Sequence, residues 1–469
     1  MPGFDRFPSL AGVITVPSDK SITHRAILFG SLAEGESFVQ AHSIGRDNLA
    51  SVRVMQQLGV EIYGYFSGSA RQMAEEEKLT DIEDSSSSPL ALNSDGDCLL
   101  VIRGRGLQGL KAASDILDCG NSGTTSRLLC GILAGCLFST TITGDRSLVK
   151  RPFARVSQPL ALMGAKFSAD YLPITVTGAE LRGLVWKSEK ASAQVKSAIL
   201  LAGLFTDQGV TVCEPGLSRD HSERMLQAMG CPIVEETTED GQHTVILPEA
   251  TVPRRLNPLQ ITVPGDFSSA CFFLAAASIV PNSRLCIENV GLNLSRTGFL
   301  DVSRRMGADI QLLERRIVGG EEVGDLLVKS NVLAGVEVSH EDVIFSIDEI
   351  PVLALQAAFS QGITVIRGAQ ELRVKESDRL AMMAGMLRLA GIEVEEFVDG
   401  MNVTGNRSLL GSGVALPTGE WLESHDHRII MCGALLNFFL TGRVECYLPE
   451  VVETSFPGFY DLLTSLVAE

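Results

Sequence analysis

Aromatic residues are scarce in this chain, at 6% of 469 positions. Its cores must therefore be built from Ala, Leu, Ile, Val and Met, with the 45 glycines allowing close backbone approaches. Positive charge is also short: 39 Lys and Arg against 57 Asp and Glu leave a formal net charge of −18. That balance argues against nucleic acid or an anionic membrane surface as partner. A phosphate-bearing ligand would have to be captured by a local basic pocket. The ten cysteines form no CxxC pair and show no metal-like spacing with histidine, so no metal site is expected. Cys130, Cys136, Cys271 and Cys432 sit in apolar runs and read as buried, reduced thiols, which implies a cytoplasmic location. The start, MPGFDRFPSL, lacks the basic and apolar regions of a secretory signal. Gly, Ser or charged residues interrupt every apolar run before the roughly 18 residues a membrane span needs. No GxxxxGK[ST] is present, so a nucleotide P-loop is not expected.

What the chain does have is length for two or three domains, 45% hydrophobic content and a repeat. Six segments share a polar start, an apolar helical run, a turn and usually a strand. They begin near Pro17, Cys119, Ala191, Pro264, Asp348 and His425. The first and fourth match best, with Thr-Val-Pro-x-Asp-x-Ser at both Thr15–Ser21 and Thr262–Ser268. A second, amphipathic helix recurs in phase, as in VMQQLGVEI, PLALMGAKF, MLQAMGCPI, VSRRMGADI and MLRLAGIEV, and a truncated copy, DLLTSLVAE, closes the chain. An acidic, Ser-rich stretch at about 66–97 lengthens the first interval and has no apolar periodicity, so it is expected to be an exposed, flexible insertion. The first helix of each repeat is apolar nearly all round and should be buried among its counterparts; the second should lie nearer the surface. Two groups of three follow, as an α/β fold with helices inside and sheets outside. The expected domains are 23–262, and 1–22 joined to 263–469, with crossovers near Lys20 and Pro264.

Repeats that only built structure would vary neutrally at their helix starts. Here those starts are polar and unlike one another: Lys20, Ser21 and Arg25; Asn121, Gly123 and Thr124; Ser192, Gln194 and Lys196; Asp348 and Glu349; His427 and Arg428. Asp266 and Ser268, at the fourth, are ordinary capping residues. Lys20, Arg25, Gln194 and Arg428 are not, and a charge abutting an apolar helix is costly unless paired or ligated. The octapeptide Arg373–Leu380, RVKESDRL, sits between a strand-like run and a helical one. Taken alone it fits an anion site at a helix start or a solvated cap with an internal ion pair. Together the starts carry many cations and two candidate acid/base carboxylates, Asp348 and Glu376, and point to two small phosphorylated ligands.

PSDKSITHR, GNSGTTSR, KRPFARV, SAQVKSA, SRDHSERML, RVKESDRL, HDHRI and TSFPGF occur here in the order found in the 3-phosphoshikimate 1-carboxyvinyltransferase (EPSP synthase) family of enolpyruvyl transferases. The resemblance covers the chain apart from the insertion, and Ala193 in SAQVKSA is similar to the second class of that family. It implies an inverse α/β prism of two domains, each of three βαβαββ repeats, and transfer of the enolpyruvyl group of phosphoenolpyruvate to the 5-hydroxyl of shikimate 3-phosphate. It implies no metal or organic cofactor, small-molecule substrates and a monomer. By resemblance Asp348 is the base, Glu376 the acid and Lys20 the contact to the leaving phosphate. Lys20, Ser21, Arg25, Ser192, Gln194, Arg219, Asp348 and Lys375 are carried over to shikimate 3-phosphate. Lys20, Asn121, Gly123, Arg151, Gln194, Arg379 and Arg428 are carried over to phosphoenolpyruvate and, with it, to the herbicide glyphosate. Thr454 departs from a lysine frequent in the family.

The related UDP-N-acetylglucosamine enolpyruvyl transferases typically use a cysteine before the equivalent of KRP, and Gly144–Val149 has none. A non-catalytic repeat scaffold is disfavoured by the intact set Lys20, Asp348, Glu376 and Arg428.

Overall fold

The computed structural model describes residues 7–66, 77–78 and 97–467. The acidic stretch lies almost entirely outside them. In sequence it lies between two strands that pair antiparallel, Glu61–Phe66 and Asp97–Arg105.

Six helices open the six repeats: α1 (Lys20–Leu32), α2 (Gly123–Ala134), α3 (Ala193–Gly203), α4 (Phe267–Ile279), α5 (Ile350–Ala358) and α6 (His427–Thr441). Their composition predicts burial on all sides. In α4 and α5 every residue is buried, and in α1 only the first two are not. Four of the six carry a side-chain cap: Asp19, Ser122, Asp266 and Asp426 accept from the N–H of Ile22, Thr125, Ser269 and Arg428 at 2.9–3.2 Å. The second helices, among them Arg46–Gln57, His221–Ala228 and Gly298–Arg305, are amphipathic and bury one face.

The chain divides into two compact units, Ser18–Val263 with Val318–Gly320, and Met1–Pro17 with Pro264–Ile317 and Glu321–Glu469. Each has its own core, around α1–α3 in the first and α4–α6 in the second. Aromatic rings concentrate in the second, where Phe273, Phe456 and Phe459 pack with centroids 5.3–5.7 Å apart. The first division falls at Pro17, not at Ile22, so Lys20, Ser21 and Ile22 belong to the first unit. The reason is local: Asp19 caps α1 and Lys20 is its first residue, and a helix does not divide within its own first turn.

The sheets repeat one order. The strand before a buried helix runs parallel to the strand after it, and two further strands add antiparallel. In the second repeat Leu117–Asp118 pairs with Ser139–Thr143 across α2 in this way. The first and fourth repeats exchange their leading strands. Ala11–Ile14 precedes α1 but pairs with Arg284–Gly291 after α4, and Gln260–Thr262 precedes α4 but pairs with Glu34–His42 after α1. The two crossing segments carry the matched Thr-Val-Pro-x-Asp-x-Ser.

Among the described residues five sheets form, not six. After α6 the chain passes through Arg443–Leu448 without a strand, and the closing helix Phe459–Leu466 is followed only by a single bridge from Val467 to Leu10. Also among the described residues, no helix is long and apolar enough to cross a membrane.

Close helix contact in the first core depends on Gly131. A Cβ there would lie 2.2 Å from the Ala198 carbonyl oxygen, so α2 and α3 meet backbone to backbone. Gly131→Ala must push the helices apart and should destabilise the protein by about 1–3 kcal/mol. Urea unfolding checks this; an unchanged midpoint would show that the helices can separate without cost.

Candidate active site

In the unit Ser18–Val263 the starts of α1, α2 and α3 hold three small clusters. The Lys20 ammonium pairs with the Asp47 carboxylate, and the two side chains are 25% and 8% exposed. Asn48 steadies the same turn by donating from Nδ2 to the Lys20 carbonyl at 3.0 Å. One turn on, Arg25 is buried and donates to Ser222 Oγ (2.7 Å), Ser197 Oγ (3.1 Å) and the Ser21 carbonyl (3.0 Å). Between them His24 is fully buried beside two cations. Burial, then Lys20 and Arg25, hold its imidazole well below the ordinary value of 6.5, so it stays neutral with Nδ1 2.8 Å from Ser51 Oγ.

At α2, Asn121 bridges two charges, donating from Nδ2 to Asp145 at 2.7 Å and accepting at Oδ1 from Arg151 Nη2 at 3.0 Å. Gly123 begins the helix beneath two guanidinium groups. A Cβ there would lie 3.0 Å from Arg127 Nη1 and 3.2 Å from Arg151 Nη1. Arg127 in turn donates to Gln194 Oε1 at 2.7 Å, and Gln194 Nε2 to Thr124 Oγ1 at 3.2 Å. Asn121, Gly123, Arg151 and Gln194 thus come together, with Arg127 as the member that sequence reasoning did not single out. Its signal was its place four residues after Gly123, which puts a cation on the same face of a buried helix.

Ser192 precedes α3 without capping it. Its N–H donates to Glu214 Oε1 at 2.6 Å, while its hydroxyl caps no backbone N–H. Arg219 follows Ser218, which donates to the other oxygen of Glu214 at 2.6 Å. His221, preferred as a structural histidine, is buried at the start of its helix.

In the unit containing α4–α6, candidates from three segments converge. Asp348 Oδ1 lies 3.1 Å from Arg379 Nη1 and 3.6 Å from Lys375 Nζ, and Asp348 Oδ2 lies 4.0 Å from Arg428 Nη2. Arg428 also donates to the Asp348 carbonyl at 3.0 Å. Arg379 is buried and divides its guanidinium among three carboxylates: Nε to Asp426 (2.9 Å), Nη1 to Asp348 (3.1 Å) and Nη2 to Glu376 (2.6 Å). Burial alone would lower its pKa, but Asp426, Glu376 and Asp348 together hold it above the ordinary arginine value. Asp426 also caps α6, so a single buried carboxylate fixes both Arg379 and the start of the helix that carries Arg428.

Asp266 is the cap it was expected to be. Ser268 does more: it donates to the buried Glu349 carboxylate and accepts from Arg296 Nη2 at 2.6 Å. Thr454 turns its hydroxyl back on the Val451 carbonyl at 2.6 Å and offers no cation.

The thiols expected to be buried and reduced are unpaired and buried. Burial pushes Cys130 and Cys136 up to about 12, so none of these is a nucleophile at neutral pH.

Buried helices whose starts gather cations and carboxylates thus accompany sheets of one repeating order. The model for EPSP synthase (3-phosphoshikimate 1-carboxyvinyltransferase) matches residues 6–86 and 90–463. The 3-phosphoshikimate 1-carboxyvinyltransferase of Desulforamulus reducens is 42% identical over 98% of both chains, and that of Geobacter sulfurreducens 42% identical over 97% of this chain and 96% of its own. The solved EPSP synthase of Acinetobacter baumannii superposes with a TM-score of 0.78 at 36% identity, over 98% of this chain and 96% of its own. The chain belongs to the EPSP synthase family. It transfers the enolpyruvyl group of phosphoenolpyruvate to shikimate 3-phosphate.

The neutral His24 has a consequence for stability. Its folded pKa lies below the unfolded value of 6.5, so as pH falls below 6.5 the unfolded chain takes up a proton that the folded protein refuses. Stability is then lost down to the folded pKa, with a limiting slope of about 1.4 kcal/mol per pH unit. Chemical denaturation of wild type and His24→Asn between pH 7.5 and 5 should show a shallower acid loss in the variant. Parallel curves would mean that His24 titrates normally.

Proposed function

We propose the following division of labour for the established transfer. Asp348 takes the proton from the 5-hydroxyl of shikimate 3-phosphate as that oxygen attacks C2 of phosphoenolpyruvate. Glu376 gives a proton to the methylene carbon, which makes C2 electrophilic and leaves a tetrahedral intermediate. Loss of phosphate with a proton from the new methyl group then restores the enol ether. Lys20 faces the departing phosphate. Asn121, Gly123, Arg151, Gln194, Arg379 and Arg428 hold phosphoenolpyruvate. Ser21, Arg25, Ser192, Gln194, Arg219 and Lys375 hold shikimate 3-phosphate.

One observation carries this reading. Asp348, Lys375, Glu376, Arg379 and Arg428, up to 80 residues apart in sequence, meet around one carboxylate and one guanidinium. A structural ion-pair network would need one cation for Asp348, whereas three lie within 4.0 Å. An anionic substrate competes with Glu376 for Arg379. Once displaced, Glu376 stands beside negative charge, which favours its protonated form and suits it to the acid role. We place the enzyme in the cytoplasm, where ten unpaired thiols are at home.

Phosphate release from wild type with both substrates is the reference assay. Glu376→Gln keeps the shape and removes the transferable proton, so kcat should fall about 10²–10⁴-fold with shikimate 3-phosphate affinity retained. Near-normal kcat would remove Glu376 from the acid role. Lys20→Met and Arg428→Met should each lower kcat/KM for phosphoenolpyruvate at least about 100-fold; a loss under tenfold returns that residue to helix capping.

Gly123→Ala tests the other half of the assignment. The added methyl meets the ends of two flexible arginines, which can give by tenths of an ångström. Compact phosphoenolpyruvate should tolerate that shift better than the longer glyphosate. The glyphosate Ki, measured against varied phosphoenolpyruvate, should therefore rise far more than the KM. An unchanged Ki/KM ratio would take Gly123 out of the ligand-contact set.

A further inference from the structure

Behind the start of α3 lies a buried charge cluster with no part in the roles above. Lys196 is completely buried, and its ammonium lies 3.0 Å from Glu214 Oε2 and 2.7 Å from Glu223 Oε1. The cluster has a neighbour that resembles a cation site, since Glu223, Glu235 and His243 bring one donor atom each within 4.8 Å. Lys196 already supplies the positive charge at Glu223, so that trio is better read as the outer edge of an ion-pair network.

Glu214 ends the strand Val210–Glu214 and is 1% exposed. Its two oxygens reach different loops. Oε1 accepts from the Ser192 N–H at 2.6 Å, and Oε2 accepts from the Ser218 hydroxyl at 2.6 Å. Ser192 stands immediately before α3 and Gln194; Ser218 immediately precedes Arg219. A single carboxylate thereby fixes the spacing of two segments that share no backbone pairing with each other.

We propose that Glu214 is a positioning residue for shikimate 3-phosphate, holding the Ser192 and Arg219 loops at the separation that this ligand requires. Lys196 and Glu223 maintain it. Lys196 sets a cation 3.0 Å from one oxygen of this buried carboxylate, which offsets part of the cost of burying it. Burial opposes the charge on Lys196, but Glu223 and Glu214 together raise its pKa above the ordinary lysine value, so the ammonium persists across the physiological range. Burial pushes the Glu223 carboxyl upward as well, against the opposing pull of Lys196. Glu214 touches neither substrate in this account. It acts through the backbone of Ser192 and the hydroxyl of Ser218, as outer groups orient inner ones in other sites.

The inference rests on the roles given to Ser192 and Arg219, and the experiment separates the two. In Glu214→Gln the side chain keeps one carbonyl oxygen for Ser192, but its amide then faces the Lys196 ammonium with another donor. The KM for shikimate 3-phosphate should rise at least about tenfold, with kcat and the KM for phosphoenolpyruvate changed less than about threefold. Ser218→Ala releases one loop without altering the charge cluster, and should raise the same KM about threefold or more at an unchanged Tm. If Glu214→Gln does not fold, Ser218→Ala decides. A lowered Tm with an unchanged KM for shikimate 3-phosphate in the folded variants would make Glu214 purely structural and overturn the proposal. Arg219→Ala is the control on the underlying roles: if it leaves that KM unchanged, the assignment of the loop to this ligand fails instead.

Discussion

A helix buried on every side keeps only its ends for polar chemistry. Every residue of α4 and α5 is buried, and α1, α2, α3 and α6 come close to that condition. Such helices carry no broad polar stripe, so charged groups gather at or near their starts, where unsatisfied N–H groups and the helix dipole favour anions. Lys20, Asn121, Gln194, Asp348 and Arg428 all lie within one turn of such a start. The inverse arrangement, with sheets outside and helices within, thus turns a folding constraint into a set of converging anion sites within each unit.

The same constraint explains the carboxylates found beside many of these cations. A guanidinium taken out of water is costly unless its hydrogen bonds and charge are matched. Arg379 is matched by Asp426, Asp348 and Glu376, and Lys20 by Asp47. An incoming anion must therefore displace a carboxylate, which favours ligands of higher charge, such as phosphates, over singly charged competitors. The net charge of −18 does not prevent this. At physiological ionic strength fields are screened over about 8 Å, so cations within hydrogen-bonding distance outweigh acidic residues spread over the surface.

The repeat was legible in the sequence because both of its helices leave a periodic mark: one apolar all round, the other amphipathic and ending in glycine. The exchange of leading strands was only half legible. Matching Thr15–Ser21 with Thr262–Ser268 located the crossing segments, but the pairing of Gln260–Thr262 with Phe38–Gln40 joins residues over 200 positions apart, and no local pattern encodes a partner so distant. That five sheets form among the described residues was hidden, because a strand-like composition after α6 does not name a pairing partner. At the site, cations abutting apolar helices stood out as too costly to be accidental. Their partners did not. Asp47, Glu214 and Arg296 lie in ordinary polar surroundings in sequence, and Arg127 was passed over inside a motif that drew attention to its glycines.

What the pairing leaves mobile is the proton. Arg379 is held in its charged form by three carboxylates and cannot serve as donor or acceptor. Arg428 and Arg151 are likewise fixed positive by their chemistry. Around Asp348 that leaves the carboxylates and Lys375 as the remaining ionisable groups. Asp348 and Glu376 both bond to Arg379, one through Nη1 and the other through Nη2, so a change of charge on either is felt by the other through a shared cation. A carboxylate that gains a proton weakens its hold on Arg379, and one that loses a proton strengthens it. Without ligand the guanidinium thus couples the two carboxylates while remaining positive itself.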